Sequence, residues 1–168
     1  SLKGTIRGGD VTEDDRQSGL AHWIVAQNIW DKIALAGLEG EARRKEMLKV
    51  RFELERSLEL WPQNVTARIG LGTVLYVELG DLDEGRRELE LVLRRYEESS
   101  GRLANLQAHF HLGRIARLER KWSEAEKHLQ LALTIDGKNV DALRDLAILQ
   151  HDRAIAEESL ERAERRRL

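Results

Sequence analysis

Leu112-Gly113, then Ala125, Leu129 and Ala132, then Ile135-Asp136-Gly137-Lys138-Asn139 mark one unit of a repeat in this chain of 168 residues. Laid on itself, the chain matches Leu112-Gly113 to Leu146-Ala147 at an offset of 34 residues, a period of helical-hairpin arrays. A longer match sets Ser57 to Ala67, with Trp61-Pro62-Gln63-Asn64 at its centre, 75 residues before Ala132 to Ala142, with apolar, Asn and Ala positions in register. Leu71-Gly72 precedes Leu112-Gly113 by 41 residues, whereas Gly80-Asp81 precedes Arg120-Lys121 by 40. Two insertions account for the drift. One residue is expected in the hairpin turn near Leu79-Gly80, and about six in the connector around 97–101, where extra loop length costs little.

Small residues recur where two helices of a hairpin must approach within about 8 to 10 Å. Gly72, Gly113 and Ala147 occupy those slots. Glycine inside a helix costs roughly 1 kcal/mol relative to alanine, so its use at two equivalent places indicates that close packing outweighs propensity. A single proline, Pro62, and no alternating apolar run bounded by turn signals leave no candidate strand. Gly80-Asp81, Ser99-Ser100-Gly101 and Asp136-Gly137 read as turns between helices.

These residues resemble the tetratricopeptide repeat (TPR), whose signature runs W-x2-L-G-x2-Y, A-x3-F, then P. In the best unit the L-G pair is Leu112-Gly113, the alanine is Ala125, and Leu129 fills the aromatic slot, while His109, Ala116 and Gly137 stand where Trp, Tyr and Pro would be. The preceding unit keeps Leu71-Gly72 and Tyr76 but has Arg68 for Trp and Gly85 for Ala. The resemblance covers about Gln63 to Ala142 and is degenerate outside it. It implies an all-α fold of antiparallel helical hairpins stacked as a right-handed superhelical solenoid.

Along the chain, residues 1–11 hold three glycines and read as a flexible arm, and 12–168 as a single domain. Thr12-Glu13-Asp14-Asp15 offers a helix N-cap with acids in the first turn. A helix to about Ala36, with Leu20, Trp23, Ile24, Gln27, Trp30, Ile33 and Ala34 on one face, pairs with a second to about Leu60 that buries Met47, Val50, Leu54 and Leu58. Residues 12–64 thus form a degenerate or capping hairpin, followed by repeats at 65–101 and 102–139. For 140–168 the readings are a further hairpin or one capping helix, since no Gly or Pro marks a turn near Ala154.

Chemistry other than binding finds little support. A net charge of -2 from 28 basic and 30 acidic side chains gives no general attraction to nucleic acid or anionic lipid. No apolar stretch approaches the ~18 residues that span a bilayer. Zero cysteines exclude disulfides and thiolate chemistry. His109 and His111 lie two apart on a helix, point about 200° from each other and cannot share a metal. Gly70-Leu71-Gly72 lies inside a helix and does not follow a strand, which rules out a phosphate loop. No enzyme activity, cofactor or metal is expected.

What remains is a surface. By the resemblance, the first helix of each repeat lines a concave groove, placing Thr66, Ile69, Thr73 and Tyr76, then Gln107, Phe110, Arg114 and Arg117, then Asp141, Arg144, Ile148 and His151 along it. Phe110, Arg114 and Arg117 mix an aromatic anchor with guanidinium forks that grip carboxylates. The expected partner is another protein, an acidic and partly apolar peptide or helix. The alternative for the arginines is pairing with local glutamates, worth about 0 to 1 kcal/mol each. One subset of the family holds the C-terminal carboxylate of chaperones with Lys and Asn. The corresponding sites here carry Ile69, Thr73, His111, Asp141 and Asp145, which points away from a chaperone-tail receptor. A second function class, a self-assembling segment forming a homodimer, is motivated by Trp23, Trp30 and Trp61 should any of them stand exposed. Cytoplasmic location is expected, with a periplasmic one retained because Ser1 in place of Met fits an excised piece.

Overall fold

A computed structural model describes residues 11–96 and 101–166, and every regular element among them is helical. In chain order these are α1 (Glu13–Ala36), α2 (Gly40–Leu60), α3 (Val65–Thr73) continued by a π-helical turn (Val74–Glu78), α4 (Leu82–Tyr96), α5 (Gly101–Leu118), α6 (Trp122–Ile135) and α7 (Val140–Arg165). Packing divides the chain into two compact units, one ending at Ala67 and the other beginning at Arg68. Most of the expected arm and connector, at 1–10 and 97–100, lies outside the described residues.

In the first unit α1 and α2 form a hairpin. Thr12 and Asp15 make a reciprocal capping box, each side chain bonding the other's backbone N–H at 3.1 and 3.0 Å. Gly37, at φ 59°, ends α1 in the left-handed conformation that glycine adopts without a Cβ penalty. The buried face of α1 is Gly19, Ala26 and Ile33, facing Met47, Val50, Leu54 and Ser57 of α2. This corrects the expected stripe, because Leu20, Ile24 and Ala34 are exposed and Leu58 is only half-buried. A Cβ on Gly19 would lie 2.8 Å from Trp61 Cβ and 3.0 Å from the Ser57 carbonyl oxygen. Close approach at this notch turns the small residues, and not the bulkiest ones, toward α2. Asn64 closes the unit, donating to Ser57 Oγ at 3.1 Å and accepting the Ala67 N–H at 3.1 Å to cap α3.

In the second unit the glycine slots are filled as the repeat predicts. A Cβ on Gly72 would come within 2.8 Å of Leu89 Cγ, and one on Gly113 within 2.8 Å of Leu129 Cγ. The inserted residue, however, is not in the hairpin turn. It widens the helix itself, where Leu79 N–H bonds the Val74 carbonyl at 3.1 Å, an i→i−5 bond. Gly72 is four residues from Tyr76, whereas Gly113 is three from Ala116. The wide turn absorbs that difference and lays Tyr76 Cβ against Gly85, where an added Cβ would meet it at 2.9 Å.

α7 runs unbroken from Val140 to Arg165, which decides between the two readings of this segment in favour of one helix. Asn139 caps it, accepting the Ala142 N–H at 2.9 Å. Leu149 packs with Ala116, Ala125 and Leu129, while Ala142 packs with Leu106 and Ala132. Arg86 of α4 bonds Glu119 and Glu124, and so ties α4 to both ends of the turn between α5 and α6. In that turn Arg120 holds φ 60°, where the equivalent position of the earlier hairpin is Gly80 at φ 75°.

Two stability measurements follow from these contacts. Gly113→Leu overpacks the α5–α6 notch and is expected to cost about 1 to 3 kcal/mol in urea unfolding; an unchanged midpoint contradicts the close approach. Arg120→Gly relieves a left-handed side-chain conformation and is expected to stabilise by about 1 kcal/mol; an unchanged or lower midpoint contradicts strain at this position.

Candidate partner-binding face

α5 carries the centre of this face. Phe110, Arg114 and Arg117 recur at i, i+4 and i+7, and all three are half-buried. The Arg114 guanidinium lies over the Phe110 ring, 4.9 Å from its centroid. Its Nε donates to Asp145 Oδ2 at 2.5 Å, and Arg117 Nη1 donates to Asp152 Oδ2 at 2.6 Å. Both arginines therefore pair with aspartates of α7, not with the local glutamates that were the sequence-based alternative. The Asp145 side chain is 3% exposed and that of Arg114 39%, so the carboxylate is enclosed while part of the arginine side chain still reaches solvent.

Behind Arg114 runs a chain of hydrogen bonds. The Tyr76 hydroxyl lies near enough to Arg114 to feel its charge, and it meets His111 Nδ1 at 2.8 Å. Thr73 Oγ1 lies 3.5 Å from His111 Nε2 and itself donates to the Ile69 carbonyl at 2.9 Å. With the Thr73 proton committed to that carbonyl, Nε2 is the protonated nitrogen and Nδ1 accepts from tyrosine. Burial, reinforced by the charge of Arg114, lowers the His111 pKa to about 4. Burial also raises the Tyr76 pKa. For Arg114 burial acts downward, but the Asp145 carboxylate prevails and its pKa is raised. The π turn is what brings Tyr76 into this chain.

The other sequence-derived positions scatter in depth. Ile69 and Tyr76 are buried and contribute support beneath the surface, Thr73 is half-buried, and Gln107, Arg144, Ile148 and His151 are exposed. Arg144 pairs with Asp141 at 3.0 Å. Trp23, Trp30 and Trp61 are all half-buried, so none stands exposed to motivate self-assembly. His109 faces away from His111 and meets His128 of α6, Nδ1 to Nδ1, at 3.0 Å. Burial and the neighbouring His128 and Lys127 lower its pKa to about 4.

Two features escaped the sequence reading. Asp145 and Asp152 interrupt the apolar face of α7 seven residues apart, and carboxylates on a core face require cationic partners. That spacing was the available signal for the ion pairs. The second feature is an open cleft of about 610 Å³ between the α5–α6 turn and the later part of α7, lined by Leu118, Trp122, Ile155 and Leu160 among others. No helix among the described residues is long and apolar enough to cross a membrane.

No family model matches this chain, and no curated protein matches it in sequence. Among solved structures it is similar to the first TPR of Spaghetti (RPAP3) bound to the HSP90 peptide SRMEEVD. The TM-score is 0.67 at 13% sequence identity, covering 87% of this chain and 99% of that one. The fold is thus the TPR-like helical-hairpin fold that the glycine slots imply.

The His111 environment sets a pH dependence. Its pKa lies near 6.5 when unfolded and about 4 when folded, so the unfolded state binds the proton first as pH falls. The resulting stability is complete above pH 6.5 and is lost on the way down to pH 4, amounting to about 2 kcal/mol by pH 5. His109, whose pKa is lowered to about 4 as well, adds a loss of its own, so in urea unfolding at pH 7.5 and 5.0 His111→Gln is expected to reduce the difference by about 2 kcal/mol without abolishing it. An equal loss in that variant rules out His111 as its source.

Proposed function

We propose that this chain is a non-catalytic interaction module that binds a peptide or helix of another protein along the outward face of α5 and α7. The observation that carries the reading is the Arg114 side chain, its guanidinium held by Asp145 and seated over Phe110, and part of the side chain still in solvent. The ligand is acidic and partly apolar. Its carboxylates approach Arg114 and Arg117, and an apolar side chain rests among Phe110 and Ile148, with Gln107, Thr73, Arg144 and His151 at the rim. The similar solved domain was itself determined with a peptide bound, which supports peptide capture as a use of this fold. A cytoplasmic location fits such a module.

Asp145 and Asp152 limit what this face can hold. They already neutralise much of the arginine charge, so an acidic ligand adds to a charge network instead of meeting bare cations, and salt weakens its attraction. Recognition of an HSP90-type tail does not fit, because Ile69, Thr73, His111, Asp141 and Asp145 stand where the Lys and Asn clamp would be needed.

Fluorescence anisotropy with labelled peptides of matched length tests the reading. An acidic peptide with an aromatic or leucine residue is expected to bind more tightly than neutral or basic ones, and SRMEEVD no better than its scramble. Arg114→Gln with Arg117→Gln is expected to weaken the acidic peptide by about tenfold or more. Glutamine avoids setting a new carboxylate against Asp145 and Asp152. Equal binding of basic and acidic peptides, or binding unaffected by the double substitution, sinks this assignment.

A further inference from the structure

The open cleft between the α5–α6 turn and the later part of α7 measures about 610 Å³, within the roughly 300 to 1,000 Å³ of sites that receive an apolar group. The length of α7 makes it. α5 ends at Leu118 whereas α7 continues to Arg165, so Ile155 and Leu160 line the cleft together with Leu118 and Trp122 of the turn. Trp122 is half-buried and packs on the core cluster beneath it. Leu118, Ile155 and Leu160 are each more than half exposed.

Two arginines give this apolar cleft a sign. Arg117 commits Nη1 to Asp152 at 2.6 Å, but its Nε is buried with no hydrogen-bond partner among the described residues. Arg120 also lines the cleft, is exposed and has no ion-pair partner among the described residues. It keeps φ 60° where the earlier hairpin has Gly80, and side chains held in the left-handed region gather at binding sites. Asp152 is the one carboxylate among the lining residues. Since Arg117 already engages it, the charge left over is positive.

Arg117 belongs both to the cleft and to the α5–α7 face, so the two are continuous. It follows Phe110 by seven residues, as Ile155 follows Ile148. Those two helical turns span roughly 11 Å, which three to four residues of extended chain cross at about 3.3 Å each.

We propose that the partner segment is extended and carries two apolar anchors three to four residues apart with carboxylates between them. One anchor rests at Phe110 and Ile148, the carboxylates meet Arg114 and Arg117, and the other anchor seats in the cleft with a further carboxylate beside Arg120. This rests on the peptide-binding reading and adds the ligand's spacing and conformation. A helical ligand rises only about 1.5 Å per residue and would need its anchors about seven apart. The α7 of a second copy fits the cleft less well, because Glu158 and Glu161 beside its exposed Leu160 are already paired with Arg162 and Arg165.

Fluorescence anisotropy with acidic peptides of equal length and charge tests the spacing. A peptide with two leucines four apart is expected to bind about tenfold more tightly than one with a single leucine, and more tightly than one with leucines seven apart. Ile155→Asn with Leu160→Asn, both at exposed positions, is expected to erase the tenfold gain while leaving the single-leucine peptide unchanged. Arg120→Gln is expected to weaken, by about threefold, only a peptide with a carboxylate beyond the cleft anchor. If acidic peptides bind through Arg114 and Arg117 without gain from the second leucine, the interaction module stands and this inference falls. A gain that survives the asparagine pair, or a preference for the spacing of seven, overturns it as well. If no acidic peptide binds, both readings fall. Light scattering gives one chain of 19.3 kDa without peptide; a two-chain mass abolished by the asparagine pair would put a second copy in the cleft and overturn the inference.

Discussion

A leucine seated over a glycine is the contact on which the second unit rests. Without a Cβ at Gly72 and Gly113, Leu89 and Leu129 reach the backbone of the facing helix, and one added carbon would lie 2.8 Å from the leucine Cγ. The penalty of glycine inside a helix is roughly 1 kcal/mol relative to alanine, while a fully buried leucine contributes roughly 1.5 to 3 kcal/mol. The balance favours the notch. Gly19 uses the same device in the first unit, with the Trp61 Cβ in the place of leucine. Because the contact is local to each hairpin, the rest of the signature can vary. Arg68 paired with Glu88, and His109 with His128, fill the slot where the family pattern has tryptophan. Substitutions of that kind preserve the fold at 13% identity to a solved TPR domain while leaving no family model that matches.

The sequence made the second unit legible because its information is carried by spacing. Leu71-Gly72, Leu112-Gly113 and Leu146-Ala147 located the first helices, and Asn139 announced the start of α7. Spacing also held the answer to the extra residue, since Gly72 to Tyr76 is one step longer than Gly113 to Ala116. Loop insertion is ordinarily cheaper than a π turn, which is why the turn at Leu79-Gly80 looked the natural place for it. The hydrogen bond from Tyr76 to His111 and the notch at Gly85 go with the wide turn, and neither follows from helical periodicity. The α1 face was misread for a related reason. Apolar bulk at Leu20 and Ile24 suggested burial, but the surface of closest approach belongs to Gly19 and Ala26, which leave little trace in a hydrophobicity pattern.

The depth of the site residues was less legible than their identity. Helical register assigns a residue to a side of α5 or α7 but does not say how far the neighbouring helix overlaps it. Tyr76 and Ile69 therefore lie beneath the surface to which they were assigned, while Gln107 and Ile148 lie on it. Long-range ion pairs are harder still. Arg114 and Asp145 are 31 positions apart, and their union depends on how α7 crosses α5.

That union explains why the arginine face has a definite shape. An arginine on an open helix surface samples many rotamers, and fixing one costs up to about 2 kcal/mol of side-chain entropy. Arg114 has met that cost in the folded chain, because Asp145 takes Nε and the Phe110 ring supports the guanidinium. Asp145 is itself enclosed, so its carboxylate depends on the guanidinium as its partner, which binds α7 to α5 at this point. Preorganisation and partial neutralisation thus have one cause. The carboxylate that orients Arg114 also weakens its field, so any group that meets this face is discriminated by fit to a fixed guanidinium edge more than by long-range attraction.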